Sequence, residues 1–275
     1  MVRGIYTATS GILTAERDIN IRSNNLSNLS TAGFKQDRLV TTTFAEALAI
    51  RQETRTTGTQ YDIGHATRGR KALEIKTDFA QGVLQPTERN LDFALSGDGF
   101  FTILSNRGEF DAEDNPDGIY EGKYYTRNGQ FQINPDGYLI NALGDYVADD
   151  SDQPILVARY DFVVSDNGDI FSATGEPIAK FGIFNPDNPD VLVKNNEEGF
   201  TILNDLNNLN EDYYPESLDY TGLVHQGYIE RANTDVTRQM AALISSSRSF
   251  QSMTQVIKAI DAILSRSIND VARVY

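Results

Sequence analysis

Apolar positions fall seven apart at both ends of the chain and two apart through much of its middle. Near the start, Ile5, Ile12, Ile19 and Leu26 keep the seven-residue interval, with Ala8 and Ala15 three positions after their leads. Near the end, Leu243, Phe250, Ile257, Leu264 and Val271 keep it, seconded by Met253 and Ile260. A strict seven-residue repeat draws a narrow apolar seam along one side of a helix. Such a seam is stable only against another helix. The spacing therefore predicts two long terminal helices that pair as a coiled coil and keep part of each seam for copies of the same chain.

The first helix is predicted over about residues 4–28, stopped where Asn, Ser, Thr and Gly gather at 28–33. The second begins near Asn233, whose side chain suits an N-cap, has Asp235 in its first turn, and runs to about Val271. Between them the period changes to two. Leu91, Phe93 and Leu95 alternate with Asp92 and Ala94, and Phe100-Phe101-Thr102-Ile103-Leu104 reads as a strand. Asn128-Gly129, between Tyr124-Tyr125-Thr126-Arg127 and Gln130-Phe131-Gln132-Ile133, predicts a hairpin, as does Pro135-Asp136-Gly137 before Tyr138-Leu139-Ile140. Further short strands are expected within 166–170, 175–183 and 190–193.

The expected class is α+β: a mainly antiparallel β domain, a sandwich or open barrel of short strands, flanked by long N- and C-terminal helices. Residues 1–33 and 226–275 make the helical part, 34–81 a partly extended connector, and 82–225 the β-rich domain. Within the connector, 41–50 has room for a short helix, and 51–70 is polar and rich in Thr and Gly.

Composition narrows the chemistry. A net charge of −15 over 275 residues argues against nucleic-acid binding and against docking on anionic lipid. With no cysteine there is no disulfide, no thiol catalysis and no zinc–thiolate site. No long apolar block predicts a signal peptide or a membrane-spanning helix, so no membrane insertion is expected. His65 and His225 fall in polar connecting segments and form no triad pattern. The acidic stretch 111–118 has Pro116 where a calcium loop of the EF-hand type requires Gly, so it reads as a solvated hairpin tip. Gly97-Asp98-Gly99 lacks the third glycine of a dinucleotide loop and reads as a turn. No catalytic, cofactor-binding or metal residue is predicted, and no cofactor.

The stretch Ser23-Asn24-Asn25-Leu26-Ser27-Asn28-Leu29-Ser30-Thr31-Ala32-Gly33-Phe34-Lys35 resembles the N-terminal signature of the flagellar axial proteins. Gly4-Ile5-Tyr6-Thr7-Ala8 is similar to the opening of rod proteins in that family, and Asn233-Thr234-Asp235-Val236 and Arg248-Ser249-Phe250 to its C-terminal run. In the middle, Leu91-Asp92-Phe93-Ala94-Leu95-Ser96-Gly97-Asp98-Gly99-Phe100-Phe101 and Tyr125-Thr126-Arg127-Asn128-Gly129 resemble two more of its motifs. The motif residues singled out are Asn24, Asn25, Leu26, Asn28, Thr31, Gly33, Phe34, Gly97, Gly99, Phe100 and Phe101. Ala32 departs from a frequent proline, and 141–225 matches nothing in the pattern.

The resemblance implies a non-enzymatic subunit of the bacterial flagellar basal-body rod, lying in the cell envelope outside the cytoplasmic membrane. It implies export by the flagellar type III apparatus and polymerisation with copies of itself and with other axial proteins, rod and hook subunits alike. The proposed assembly seam is Ile5, Ile12, Ile19, Leu26, Leu243, Phe250, Ile257 and Leu264. A hook or hook-like axial protein is the neighbouring alternative. From another class, the rival is a secreted β domain that binds or acts on cell-wall glycan, with oligomerising helices.

Overall fold

A computed structural model of the chain describes residues 2–43, 47–51, 61–66, 70–105, 122–157, 162–195, 199–202, 218 and 220–272. The chain forms two compact units. One comprises Met1–Ser27, Asp37–Lys76 and Asp235–Tyr275, and the other Asn28–Gln36 with Thr77–Thr234.

The first unit holds both long helices, α1 (Val2–Ser27) and α2 (Val236–Ala272). At 1.5 Å per residue they are about 39 and 56 Å long. Asp235 caps α2: its Oδ1 accepts from the N–H groups of Thr237 at 2.9 Å and Arg238 at 3.2 Å. The expected cap, Asn233, lies in the other unit and bonds there. The described residues of 41–50, namely 41–43 and 47–50, are strand and not the short helix allowed for there. The run Val40-Thr41-Thr42-Thr43, stiff at χ1, favours extended chain, and strand Asp37–Thr43 pairs with Arg70–Thr77. Ala47–Arg51 pairs antiparallel with Tyr61–Ala66, with a register shift between Ala49 and Ile50.

Among the described residues, the regular structure of the second unit is β-strand apart from a 3-10 turn at Pro189–Val191. An eight-stranded antiparallel sheet is accompanied by a three-stranded one (Phe162–Val164, Asp169–Ser172, Pro177–Lys180) and by two strand pairs, Leu223–Gln226 with Phe93–Ser96 and Tyr228–Glu230 with Leu84–Pro86. Strand Phe100–Leu104 lies inside the large sheet and is buried on both faces. Successive side chains on a strand point to opposite faces, so the consecutive pair Phe100 and Phe101 serves two separate cores. Phe101 packs with Phe131 and Phe181, ring centroids 5.3 and 5.5 Å away, in the main core. Phe100 packs with Phe79 and Phe200 at 5.7 and 5.5 Å in the second. Rings at these separations add to the stabilisation that area burial supplies.

One predicted hairpin forms and one does not. Ile133 pairs with Leu139 across Pro135-Asp136-Gly137. Asn128-Gly129, by contrast, is a corner. Lys123–Thr126 pairs with Phe100–Leu104 and with Phe200–Ile202, whereas Gln132–Ile133 pairs with Leu139–Ile140. The glycine is needed because backbone passes close by: the Phe93 N–H donates to Gly129 O at 2.9 Å, and a Cβ on Gly129 would overlap the Phe93 carbonyl. His65 and His225, expected in connectors, lie in strands Tyr61–Ala66 and Leu223–Gln226. Gly97-Asp98-Gly99 bends between two strands, and the acidic stretch 111–118 lies outside the described residues.

Candidate functional site

Two arrangements hold the residues that the sequence singles out. The first is the line of approach between α1 and α2. On α2 a stripe of protected positions runs through Val236, Gln239, Leu243, Ser246, Phe250, Met253, Ile257, Ile260 and Leu264, alternately three and four apart, with Ala242, Ser247 and Thr254 beside it protected as well. All four predicted seam residues of this helix lie on that stripe, each half-buried.

On α1 the residues that meet α2 are smaller. A Cβ on Gly4 would lie 3.8 Å from Ile260 Cδ1, and one on Gly11 would lie 2.5 Å from Met253 Sδ. Farther along, Ser246 donates to the Asp18 carboxylate and Arg22 Nη1 to Gln239 Oε1 at 3.4 Å. As α1 advances, its partner positions on α2 recede, so the helices run antiparallel. With Ala8, Ala15 and Asn25, these α1 positions also step alternately four and three residues. Ile5, Ile12, Ile19 and Leu26 lie one residue beyond this line and are half-buried. Glycine and alanine let the two backbones come close, and the larger isoleucines flank the contact.

Asn25 closes the other end of α1. Its fully buried carboxamide donates from Nδ2 to Asp37 O at 2.8 Å and accepts at Oδ1 from Asp37 N at 2.9 Å. This paired bond ties the helix to strand Asp37–Thr43. Its motif neighbour Asn24 is exposed. Past the helix, Thr31 N–H donates to Asn28 O at 3.2 Å, and Thr31 Oγ1 lies 3.3 Å from Asn28 Oδ1, which builds the turn that ends the helical segment.

The second arrangement is a buried ion cluster in the β unit. Lys35 Nζ donates to Glu230 Oε1 at 2.6 Å and to Ala80 O at 3.0 Å. Gly82 N–H donates to the same Oε1 at 2.7 Å, while Arg127 Nη1 donates to Glu230 Oε2 at 3.3 Å and Nη2 to Gly97 O at 2.6 Å. The side chains of Lys35, Glu230 and Arg127 are 0%, 1% and 2% exposed. Burial is the main cause that pulls the Lys35 ammonium below its ordinary pKa. The Glu230 carboxylate opposes that shift and the Arg127 guanidinium adds to it.

The glycines and aromatics of the motifs surround this cluster. Gly33 N–H donates to Glu230 O at 2.7 Å, the Arg127 guanidinium sits 5.1 Å above the Phe100 ring, and Lys194 Nζ lies 3.9 Å over the Phe34 ring while donating to Lys35 O at 2.9 Å. Gly99 is buried against Ile183 and Tyr220. Tyr220 donates to the carbonyls of Ser96 and Leu223, each at 3.1 Å, and burial pushes its phenol up to about 12. Beside the cluster, Asn233 Nδ2 donates to Asp78 O and Ala80 O, and its Oδ1 accepts from Gln36 N at 2.8 Å.

Motifs that lie far apart in the sequence thus meet at one point. Glu230, their common partner, does not stand out in the sequence; it is one of 39 acidic residues and carries no local signal. Among the described residues, no group of three or more His, Asp or Glu is placed to hold a metal. None of the described helices is long and apolar enough to cross a membrane.

Three family profiles match the chain in order. Residues 5–35 match "Flagella basal body rod protein", 94–171 match "Flagellar hook protein FlgE/F/G D1 domain", and 225–270 match "Flagellar basal body rod FlgEFG protein C-terminal". The chain belongs to the flagellar basal-body rod protein family. Similar proteins cover it end to end. The flagellar basal-body rod protein FlgG of Buchnera aphidicola subsp. Baizongia pistaciae is 25% identical over 97% of this chain and 98% of its own length. FlgF of Caulobacter vibrioides is 26% identical over 94% and 93%. The hook-basal body complex protein FlhO of Bacillus subtilis is 28% identical over the whole of both chains.

Rod-family proteins are structural parts of the flagellar basal body, not enzymes, which sets aside the glycan-acting reading. The first and last matches hold the two helices, and the middle one begins at Ala94 and takes in Gly97, Phe100 and Arg127. Lys35, Arg127 and Glu230 therefore come one from each matched segment.

Proposed function

We propose that the chain is a rod subunit that polymerises through its terminal helices, pairing them as a coiled coil and packing their outer faces on neighbouring subunits. It reaches the rod through the flagellar type III export apparatus and meets copies of itself and other axial proteins there. The observation that carries this reading is the surplus of apolar surface on α1 and α2. Beyond the positions that face each other, Tyr6 is 71% exposed and Ile268 67%, and Leu13, Ile244 and Ile263 are each more than half exposed. Large apolar residues in such numbers on paired helices fit burial against further chains.

Ile5, Ile12, Ile19 and Leu26 on α1, with Leu243, Phe250, Ile257 and Leu264 on α2, are the residues assigned to assembly. Each contributes about 2 kcal/mol when fully buried. The test is Ile19→Asp combined with Ile257→Asp in a cell that carries no other copy. The variant is expected to keep the circular dichroism of its β unit and to be missing from basal bodies. Normal incorporation and motility would overturn the proposal.

A further inference from the structure

We infer that Glu230 acts as a closure latch in the β unit, its carboxylate licensing the burial of two cations that otherwise exclude each other. Lys35 and Arg127 both reach this one carboxylate, and all three side chains are almost fully enclosed. Two cations in a dry site repel each other strongly unless an anion lies between them, and removing the anion from a buried cluster costs far more than breaking a surface pair. The Arg127 charge already weighs against the ammonium form of Lys35. Asp78 also favours the Lys35 ammonium through its charge, but its own bonds go to Gln36 Nε2 and Ala80 N–H, each at 3.1 Å, and it does not stand between the two cations as their shared hydrogen-bond acceptor.

The order of these residues along the chain gives the latch its direction. Lys35 and Arg127 are made first, and Glu230 follows 103 residues after Arg127. Until Glu230 arrives the two cations have no shared anion, so segments 33–36 and 80–82 stay open. Once it is in place, its carboxylate gathers Lys35, Arg127 and Gly82 N–H, and its carbonyl takes Gly33 N–H. An incomplete chain is thereby kept from closing on itself, and the complete chain closes in one step.

Glu230→Gln in the full-length protein separates this latch from an ordinary hydrogen-bond anchor, because glutamine keeps the size and an oxygen able to accept from Gly82 N–H. Hydrogen exchange would be read at the amides of Gly33, Gly82 and, as an internal control, Thr102 in the core strand. The latch predicts exchange at Gly33 and Gly82 faster by roughly a hundredfold or more, with Thr102 unchanged. It also predicts that Lys35→Met on top of Glu230→Gln restores most of the protection. One buried cation is then left, and Arg127 still has Gly97 O and the Phe100 face. Protection unchanged in Glu230→Gln would overturn the latch. So would a double variant as open as the single one, since lost hydrogen bonds rather than repulsion would then explain the opening.

Discussion

Replacing Gly33 by alanine tests the convergence of the motifs on the ion cluster. Gly33 has φ +70°, a conformation that costs an L-residue about 1–2 kcal/mol. Its Cβ would also overlap backbone atoms of Arg127 and Asn128, which belong to a sheet strand's end and a tight corner and cannot swing aside as a side chain would. Overpacking of this kind costs a further 1–3 kcal/mol or so. The expected loss is therefore about 2–5 kcal/mol, or about 4–20 °C in the melting temperature of a unit this size. Gly175→Ala supplies the control: φ is +83° there, but nothing lies within 4 Å of the added methyl, so only the conformational cost of about 1–2 kcal/mol applies. Urea unfolding of the two variants, followed by tyrosine fluorescence, measures the difference. A Gly33→Ala loss within about 0.5 kcal/mol of the Gly175→Ala loss would show that Gly33 does not press against Arg127 and Asn128.

Tyr220 should make stability fall at alkaline pH. Its phenol titrates near 10 in the unfolded chain and at about 12 in the fold, so its contribution is complete below pH 10 and lost as pH rises to 12. Tyr220→Phe should flatten that decline, and the difference between the two proteins cancels the opposite trend from Lys35, whose lowered pKa makes stability rise towards pH 10.5. An identical pH profile in both proteins would refute this. Hydrogen exchange within 5–26 of the free subunit should be fast and become slow in assembled rods, because the helix pair buries too little apolar surface to hold alone. Strong protection in the monomer would contradict that expectation.

How much of this was legible in the sequence depends on how local each signal is. The stripe of α2 could be read directly, since Leu243, Phe250, Ile257 and Leu264 are large, apolar and seven apart. The matching line on α1 was only partly visible: Ala8 and Ala15 belong to the repeat, but Gly4 and Gly11, which lie against Ile260 and Met253, carry no hydrophobic signal, and a reading weighted by hydrophobicity picks the isoleucines beside them. The corner at Asn128-Gly129 has the residues of a hairpin but answers to the Phe93 carbonyl, a partner more than 30 residues away. The ion cluster lay beyond local reading altogether. Lys35 and Glu230 are 195 residues apart, and only the folded chain brings them to 2.6 Å. Resemblance marked the glycines and phenylalanines around the cluster without revealing that they share one centre.

Electron microscopy of basal bodies isolated from cells with and without this chain tests the central claim most directly. If the chain is a structural rod subunit, particles from cells lacking it should have an incomplete rod, and restoring the chain should restore the full length. Complete rods of normal length in its absence would contradict the account.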